Sequence, residues 1–299
     1  MNILLFGKNG QVGWELQRAL APLGHVTALA THSTDYCGDF SNTAGIIETV
    51  RSLRPDVIVN ASAYTAVDKA ESESDLAQQI NAIAVEAVAK EAQQLGAWLI
   101  HYSTDYVFPG TGSDAWLETD ATAPLNVYGE SKLAGEEAIQ RYCEKHLIFR
   151  TSWVYASKGN NFAKTMLRLA KERSELSVIS DQQGAPTSAE LLADCTAHAI
   201  VTACNNNDVA GVYHLAASGT TSWYDYACLV FAEAQKAGVP LALNATHPIP
   251  TSSYPTPAKR PLNSRLNTQK FQHTFALTLP VWQQGVKRML DELIAFKAI

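Results

Sequence analysis

The chain has 299 residues, and its 46% hydrophobic and 17% charged content is that of a globular protein able to bury a sizeable core. A net charge of -6 and a pI near 5.8 argue against a nucleic-acid or anionic-membrane surface, and no apolar run approaches the ~20 residues of a membrane span. The cysteines are odd in number, widely spaced and without a C-x-x-C pair, so reduced thiols and a cytoplasmic location are expected rather than disulfides or zinc.

Residues 2–6 are a compact apolar run, suited to a buried parallel strand. Gly7, Gly10 and Gly13 follow, with Gln11 and Val12 between the last two, and then a helical pattern from Trp14 to Leu23. Glycines so placed allow a tight turn and a close backbone approach to a pyrophosphate, which the helix amino terminus then meets with free N–H groups. A glycine triplet alone is weak evidence; between a strand and a helix it predicts a dinucleotide site.

His25–Leu29 reads as the second strand. It ends in Ala30-Thr31-His32-Ser33, with neither the acid that binds a ribose diol nor the base that meets a 2′-phosphate, so use of either NADH or NADPH is expected. Asp39 and Phe40 are candidates to hold the adenine, although Asp39 serves equally well as a cap for a helix over 42–54. The third strand, 56–59, opens into small residues at its carboxyl end. There Ala61, Ala63, Tyr64 and Thr65 are candidate cofactor contacts. A long alanine-rich helix is predicted over 73–95, with Asn81 either a buried anchor or a solvated side chain.

The fourth strand, 98–102, ends at Tyr102, a candidate cofactor contact, and runs into Ser103-Thr104-Asp105. Alternation along the exit favours Thr104 over Ser103 as the hydroxyl facing a bound carbonyl; a turn-capping role is the competing reading. Tyr128 and Lys132 then lie four apart on a predicted helix ending near Cys143, and so share one face. A phenol titrates near pKa ~10, and a fixed positive charge beside it is expected to lower that value for acid–base work.

In that order, the glycine triplet, Ser-Thr-Asp and Tyr-x-x-x-Lys make the chain similar to the extended short-chain dehydrogenases/reductases. Val59–Glu71, Ser103–Gly110, Asn126–Lys132, Arg150–Tyr155, Asp181–Thr187 and Arg260-Pro261 with Asn263-Ser264 resemble the dTDP-4-dehydrorhamnose reductase family. The resemblance implies reduction of the 4-keto group of a dTDP-6-deoxyhexulose to dTDP-L-rhamnose, a precursor of lipopolysaccharide O-antigen, using NADPH or NADH. It implies that Tyr128 protonates the carbonyl oxygen, that Lys132 tunes Tyr128 and binds the nicotinamide ribose, and that Thr104 and Asp105 lie at the reacting carbonyl. It also implies a homodimer, with Mg²⁺ a candidate at its interface, though no ligand cluster in the sequence identifies a metal site; Glu15, Glu190 and Glu292 read as surface charges. One departure is Pro109, where the family usually has Asp. Tyr106 stands where related dehydratases carry a catalytic Glu, which counts against dehydration. The remaining alternatives are a cofactor-recycling epimerase and a binding subunit like the regulatory partners of methionine adenosyltransferase; the complete Thr104, Tyr128, Lys132 set favours a reductase.

In the second half, 146–150 reads as a parallel strand, 160–172 as a helix, 176–179 as a strand, 187–205 as a helix and 212–215 as a strand. Trp153 is a candidate to stack on the sugar, or a core aromatic. His214, alone in a strand, reads as a core residue. The five-proline stretch 246–262 reads as a loop in which Arg260 and Lys259 are candidate pyrophosphate partners, before a last helix over 280–296. The expected fold is α/β: a Rossmann-type doubly wound parallel sheet formed by 1–150, with segments near 176–180 and 210–217 returning to it. The remainder of 151–299 forms a smaller, mostly helical, interleaved substrate domain.

Overall fold

The computed structural model describes residues 1–296; residues 297–299, the end of the expected substrate domain, lie outside them. In chain order, β1 (Asn2–Phe6), α1 (Gln11–Leu20), β2 (His25–Leu29), α2 (Thr43–Leu53) and β3 (Val57–Asn60) open the molecule. A short α3 (Val67–Ala70) leads to α4 (Ser74–Gln78), a π turn over Gln79–Ile83 and α5 (Ala84–Leu95), then to β4 (Trp98–Thr104), α6 (Val127–Tyr142) and β5 (His146–Thr151). The helix expected over 73–95 is therefore one rod with a π turn in it, and that turn carries Asn81.

The second half holds β6 (Val154–Tyr155), α7 (Phe162–Glu172), β7 (Glu175–Ile179), β8 (Gln183–Gly184), β9 (Thr187–Ser188) and α8 (Ala189–Asn205). It continues with β10 (Gly211–His214), β11 (Thr221–Ser222), α9 (Trp223–Lys236), β12 (Ala245–Ile249), α10 (Gln269–Phe275) and α11 (Trp282–Ala295).

Six strands form one parallel sheet in the order β2, β1, β3, β4, β5, β10. Their apolar runs are buried on both sides because successive side chains serve opposite faces. Ile3, Leu5, Val57 and Val59 pack with Leu16 of α1 and Leu192 of α8, while Leu4, Phe6 and Ile58 pack with Ile46 of α2 and Val85 of α5. After β1 the chain builds β2 on one side and then β3 on the other. That reversal opens a crevice at the carboxyl ends of β1 and β3, where parallel sheets bind ligands.

A third core lies among α7, α9 and α11, where Leu167, Leu176, Tyr226 and Val286 are buried together. The expected return of 176–180 to the main sheet is corrected: β7 pairs with β12 in a separate two-stranded sheet. The residues explain the difference. Glu175 and Ser177 are exposed and Leu176 and Val178 buried, a one-faced alternation unlike the fully buried β3. β12 itself falls inside the proline stretch expected to be a loop, with Pro248 opposite Val178; an edge strand tolerates a proline that cannot donate to a ladder. Helix α10 has no counterpart in the expected elements, and its Phe271 and Phe275, like Leu192 of α8, join the core of the main sheet. His214 is buried edge-on to Phe108 and pushed down to about 3, by burial first and then by the Arg150 charge. It is a neutral core side chain.

Candidate active site

The loop from β1 to α1 is pressed against the exit of β3. Gly7 has φ +87°, and a Cβ on it would meet the Ala61 carbonyl carbon at 2.6 Å; one on Gly13 would meet the Gly7 oxygen at 2.0 Å. Gly10 caps α1 without a side-chain hydrogen bond, which leaves first-turn N–H groups free for an anion. At the end of β2, Ser33 Oγ accepts from Ala30 N at 2.9 Å, while Thr31 and His32 are exposed.

Asp39 and Phe40, the two candidate adenine contacts, lie between the end of β2 and α2. Asn42, not Asp39, caps α2 by accepting from Gly45 N at 3.0 Å, and Asp39 accepts from the Ser41 amide and hydroxyl. Phe40 is buried edge-on to Phe6, with centroids 5.1 Å apart. Neither lines the central cleft. Tyr64 lies between Ala63 and Thr65, which line the cleft; its hydroxyl donates to Glu73, which pushes the phenol up to about 12. Its backbone is held on both sides by Asn81, whose Oδ1 accepts from Tyr64 N at 2.9 Å and whose Nδ2 donates to Tyr64 O at 3.1 Å. Asn81 is thus the buried anchor.

Helix α6 begins where several elements converge. Asn126 Oδ1 accepts from Gly129 N at 2.8 Å, and its Nδ2 donates to the Lys259 carbonyl at 2.8 Å. Gly129 lets the first turn approach the loop after β4; a Cβ there would lie 2.3 Å from Tyr106 O. Near its middle the helix is fixed by a buried ion pair, Glu136 with Arg150 of β5, at 2.6 Å. These contacts set Tyr128 and Lys132 over the carboxyl end of β4.

The cleft so formed has a volume of about 610 Å³. Gly10, Gln11 and Val12 line one end, Ala61, Ala63 and Thr65 a side, and Tyr102, Thr104, Asp105, Tyr128, Lys132 and Trp153 the reacting end. Four buried polar atoms on its wall have no protein partner: Gln11 Oε1, Ser103 Oγ, Asp105 Oδ2 and Thr151 Oγ1. The polar side chains along the wall fit a polar ligand, such as a dinucleotide whose phosphates meet the α1 amino terminus.

Burial shapes the electrostatics. Tyr128, edge-on to Tyr106 at 5.6 Å, is raised above the ordinary phenol value chiefly by burial, with the Thr104 hydroxyl pulling it back. Lys132 is buried and lowered to about 8 by desolvation, against the pull of Glu136. Its Nζ donates to Tyr102 O at 2.6 Å and lies 3.0 Å from His101 Nε2. Asp105 is raised to about 6, again by burial. The expected lowering of the Tyr128 pKa by Lys132 does not dominate here: burial raises it first, the Asp105 and Tyr106 charges raise it further, and the Thr104 hydrogen bond is what lowers it.

A second cavity of about 770 Å³ adjoins the first, with Tyr106 and Trp223 on the walls of both. Arg260 lines it, paired with Asp68 at 2.8 Å; Lys259 is exposed and contributes its backbone instead. Trp153 takes a left-handed backbone, φ +49°, rare for a bulky residue. Its indole stacks on Trp223 at 3.6 Å, and Trp223 Nε1 donates to Gln182 Oε1 at 3.0 Å. Sequence reasoning missed Trp223, whose only visible signal was its place at a helix start. It also passed over Ser103 and Thr151, although both sit inside segments already singled out.

The model of the RmlD substrate binding domain family matches residues 1–295. A dTDP-4-dehydrorhamnose reductase of Escherichia coli strain K12 is 75% identical over 299 residues, the whole of both chains. A crystal structure of a dTDP-4-dehydrorhamnose reductase from Clostridium acetobutylicum superposes with a TM-score of 0.88 at 34% identity, over 98% of this chain and 100% of that one. The Bacillus anthracis dTDP-4-dehydrorhamnose reductase in complex with NADP gives 0.86 at 36% identity, over 97% of this chain and 99% of the other. With the dinucleotide loop, the tyrosine–lysine helix and these full-length likenesses together, the chain belongs to the dTDP-4-dehydrorhamnose reductase family.

Proposed function

We propose that this chain reduces the 4-keto group of dTDP-4-dehydrorhamnose to give dTDP-L-rhamnose, with NADPH or NADH. The observation that carries the reading is one cleft that joins the glycine loop of β1 to Thr104, Tyr128 and Lys132. Gly10, Gln11 and Val12 would hold the pyrophosphate at the α1 amino terminus, with Gly7 and Gly13 shaping the loop. Ala61, Ala63, Thr65 and Tyr102 would line the path of the dinucleotide toward Lys132. The bound nicotinamide supplies a hydride to carbon 4.

The rest of the reaction falls to side chains. Thr104 Oγ1 donates to Asp105 Oδ1 at 3.2 Å and accepts from Tyr106 N at 3.2 Å; with substrate bound its hydroxyl would turn from Asp105 to the carbonyl and keep it beside Tyr128. Tyr128 gives its proton to that oxygen as negative charge develops there. Lys132 replenishes the phenolate. Trp153, fixed on Trp223, would cover the sugar, and Arg260, at the second cavity, would bind the pyrophosphate through paired hydrogen bonds.

A homodimer in the cytoplasm is part of the same reading. Arg18 bridges Glu15 and Asp194, and Arg288 meets Glu190 and Glu292, on a face shared by α1, α8 and α11. Among the described residues no three acidic, histidine or cysteine side chains cluster to hold a metal, so an interfacial Mg²⁺ would need ligands from two copies.

The test is NADPH absorbance on addition of dTDP-4-dehydrorhamnose made in place from its 4-keto-glucose precursor and an epimerase. Stoichiometric oxidation with dTDP-rhamnose formed is the expected outcome. Nucleotide binding without oxidation would overturn it in favour of a recycling epimerase or a non-catalytic partner.

A further inference from the structure

Lys132 has buried neighbours that the reaction above does not use. The Ser62 amide donates to Asn60 Oδ1 at 3.0 Å. Asn60 Nδ2 lies 3.1 Å from His101 Nδ1, and His101 Nε2 lies 3.0 Å from Lys132 Nζ. Asn60, His101 and Lys132 are 1%, 0% and 2% exposed, so their partners along this line are one another.

Donor and acceptor rules fix the direction of this chain. A backbone N–H only donates, so Asn60 must turn its oxygen to Ser62 and its NH₂ to His101. His101 Nδ1 therefore accepts, and the ring proton sits on Nε2. Burial keeps the imidazole neutral. The Nε2–H then points at Lys132 Nζ. An ammonium has three donors and no lone pair, so it would face this N–H hydrogen to hydrogen. A neutral amine accepts the bond and still donates to Tyr102 O.

We propose that Asn60 and His101 are positioning residues whose fixed N–H favours the neutral amine of Lys132, and so ready that lysine to release a proton in each turnover. The inference rests on the reductase reading of Lys132. When Tyr128 protonates the substrate oxygen it becomes a phenolate. A Lys132 N–H bond then breaks, its proton restores the phenol, and the electron pair left on nitrogen accepts the His101 Nε2–H. The charged and titratable groups around Lys132 are His101 of β4, Tyr128 and Glu136 of its own helix, Arg150 of β5 paired to Glu136, and Asp105 beyond Tyr128. The π turn contributes only the neutral Asn81, which bonds to Ser131 of the helix.

Two near-isosteric variants test the direction of the chain. Asn60→Asp keeps an oxygen for Ser62 and sets a second against His101, which moves the ring proton to Nδ1 and turns Nε2 into an acceptor for the ammonium. His101→Gln brings an amide oxygen that is free to face Lys132. In both, the alkaline limb of kcat/KM for NADPH-dependent reduction moves up by about one pH unit or more. A merely structural role would scale the profile without moving the limb, and unmoved limbs in the two folded variants would overturn the proposal. If the variants do not fold, the ¹⁵N NMR spectrum of the wild-type His101 ring decides above pH 9. A proton on Nε2 is the expected result, and one on Nδ1 overturns the proposal. That readout stands even if the wild-type enzyme oxidises no NADPH, which would instead sink the reductase reading.

Discussion

In the proposed reaction Tyr128 donates its proton, and it does so from a buried site. A phenol raised by desolvation stays protonated at neutral pH, and the alkoxide it must protonate is a far stronger base, comparable to hydroxide, whose parent water has a pKa of ~15.7. Tyr128→Phe should cut kcat by roughly 10²- to 10⁴-fold, with NADPH affinity nearly kept, because Lys132 and the glycine loop remain. Near-normal kcat would remove Tyr128 from the chemistry. Asp105 makes a separate prediction about stability. Its folded pKa of about 6 lies above the ordinary carboxyl value of ~3.9. The folded state therefore binds the proton more tightly, and stability is full below pH ~4 and lost as pH rises through about 6. At pH 7.5 the ionised group costs roughly 3 kcal/mol. Asp105→Asn keeps an acceptor for Thr104 and removes the charge, so thermal denaturation at pH 7.5 should show a Tm several degrees above wild type, and the gain should vanish near pH 4.5. An equal gain at both pH values would point to packing instead.

At the scale of elements, α6 is held at its first turn by Asn126 and in its middle by Glu136, which is 0% exposed and paired with the equally buried Arg150. Arg150 opens the segment Arg150–Tyr155 that stood out in the sequence for another reason, while Glu136 lies on the helix that carries Tyr128 and Lys132. Their partnership was not legible there, because fourteen residues of separation carry no sign of which strand a helix will face. Removing one member of a buried pair leaves the other charge unpaired, a loss of ~3–5 kcal/mol. Glu136→Ala should therefore lower the free energy of unfolding by that amount in chemical denaturation. The double variant Glu136→Ala, Arg150→Met should recover part of it; no recovery would mean that the helix depends on Glu136 for reasons other than charge. The legible elements were those whose pattern depends on local sequence alone: apolar runs for β1 and β3, Pro-Thr-Ser before α8, the glycine loop before α1. The illegible ones depend on partners. β12 is a strand because β7 offers it an edge, and the π turn in the helix before β4 exists so that Asn81 can reach the backbone of Tyr64.

On the scale of the whole molecule, the site is divided between two constructions. The six-stranded sheet supplies the glycine loop, Thr104 and the tyrosine–lysine helix; the core of α7, α9 and α11 supplies Trp223 and, through Phe162, Met166 and Leu169, an apolar wall of the second cavity, with Tyr106 and Trp223 where the two spaces meet. Sequence motifs marked the first construction densely and the second sparsely, since a nucleoside pocket is a shape assembled from distant segments such as 162–182 and 251–260. This division predicts that affinities for cofactor and sugar nucleotide separate. Arg260 lines only the second cavity, held in place by Asp68 at 2.8 Å and by the face of Tyr106. A hydrogen bond to a charged group is worth ~1.5–3 kcal/mol, or roughly 10- to 150-fold in affinity. Arg260→Ala should raise the dissociation constant of dTDP by about that factor in calorimetric titration, while that of NADPH stays within about twofold. Equal weakening of both ligands would show that Arg260 supports the cleft as a whole, through Tyr106, and does not itself bind the sugar nucleotide.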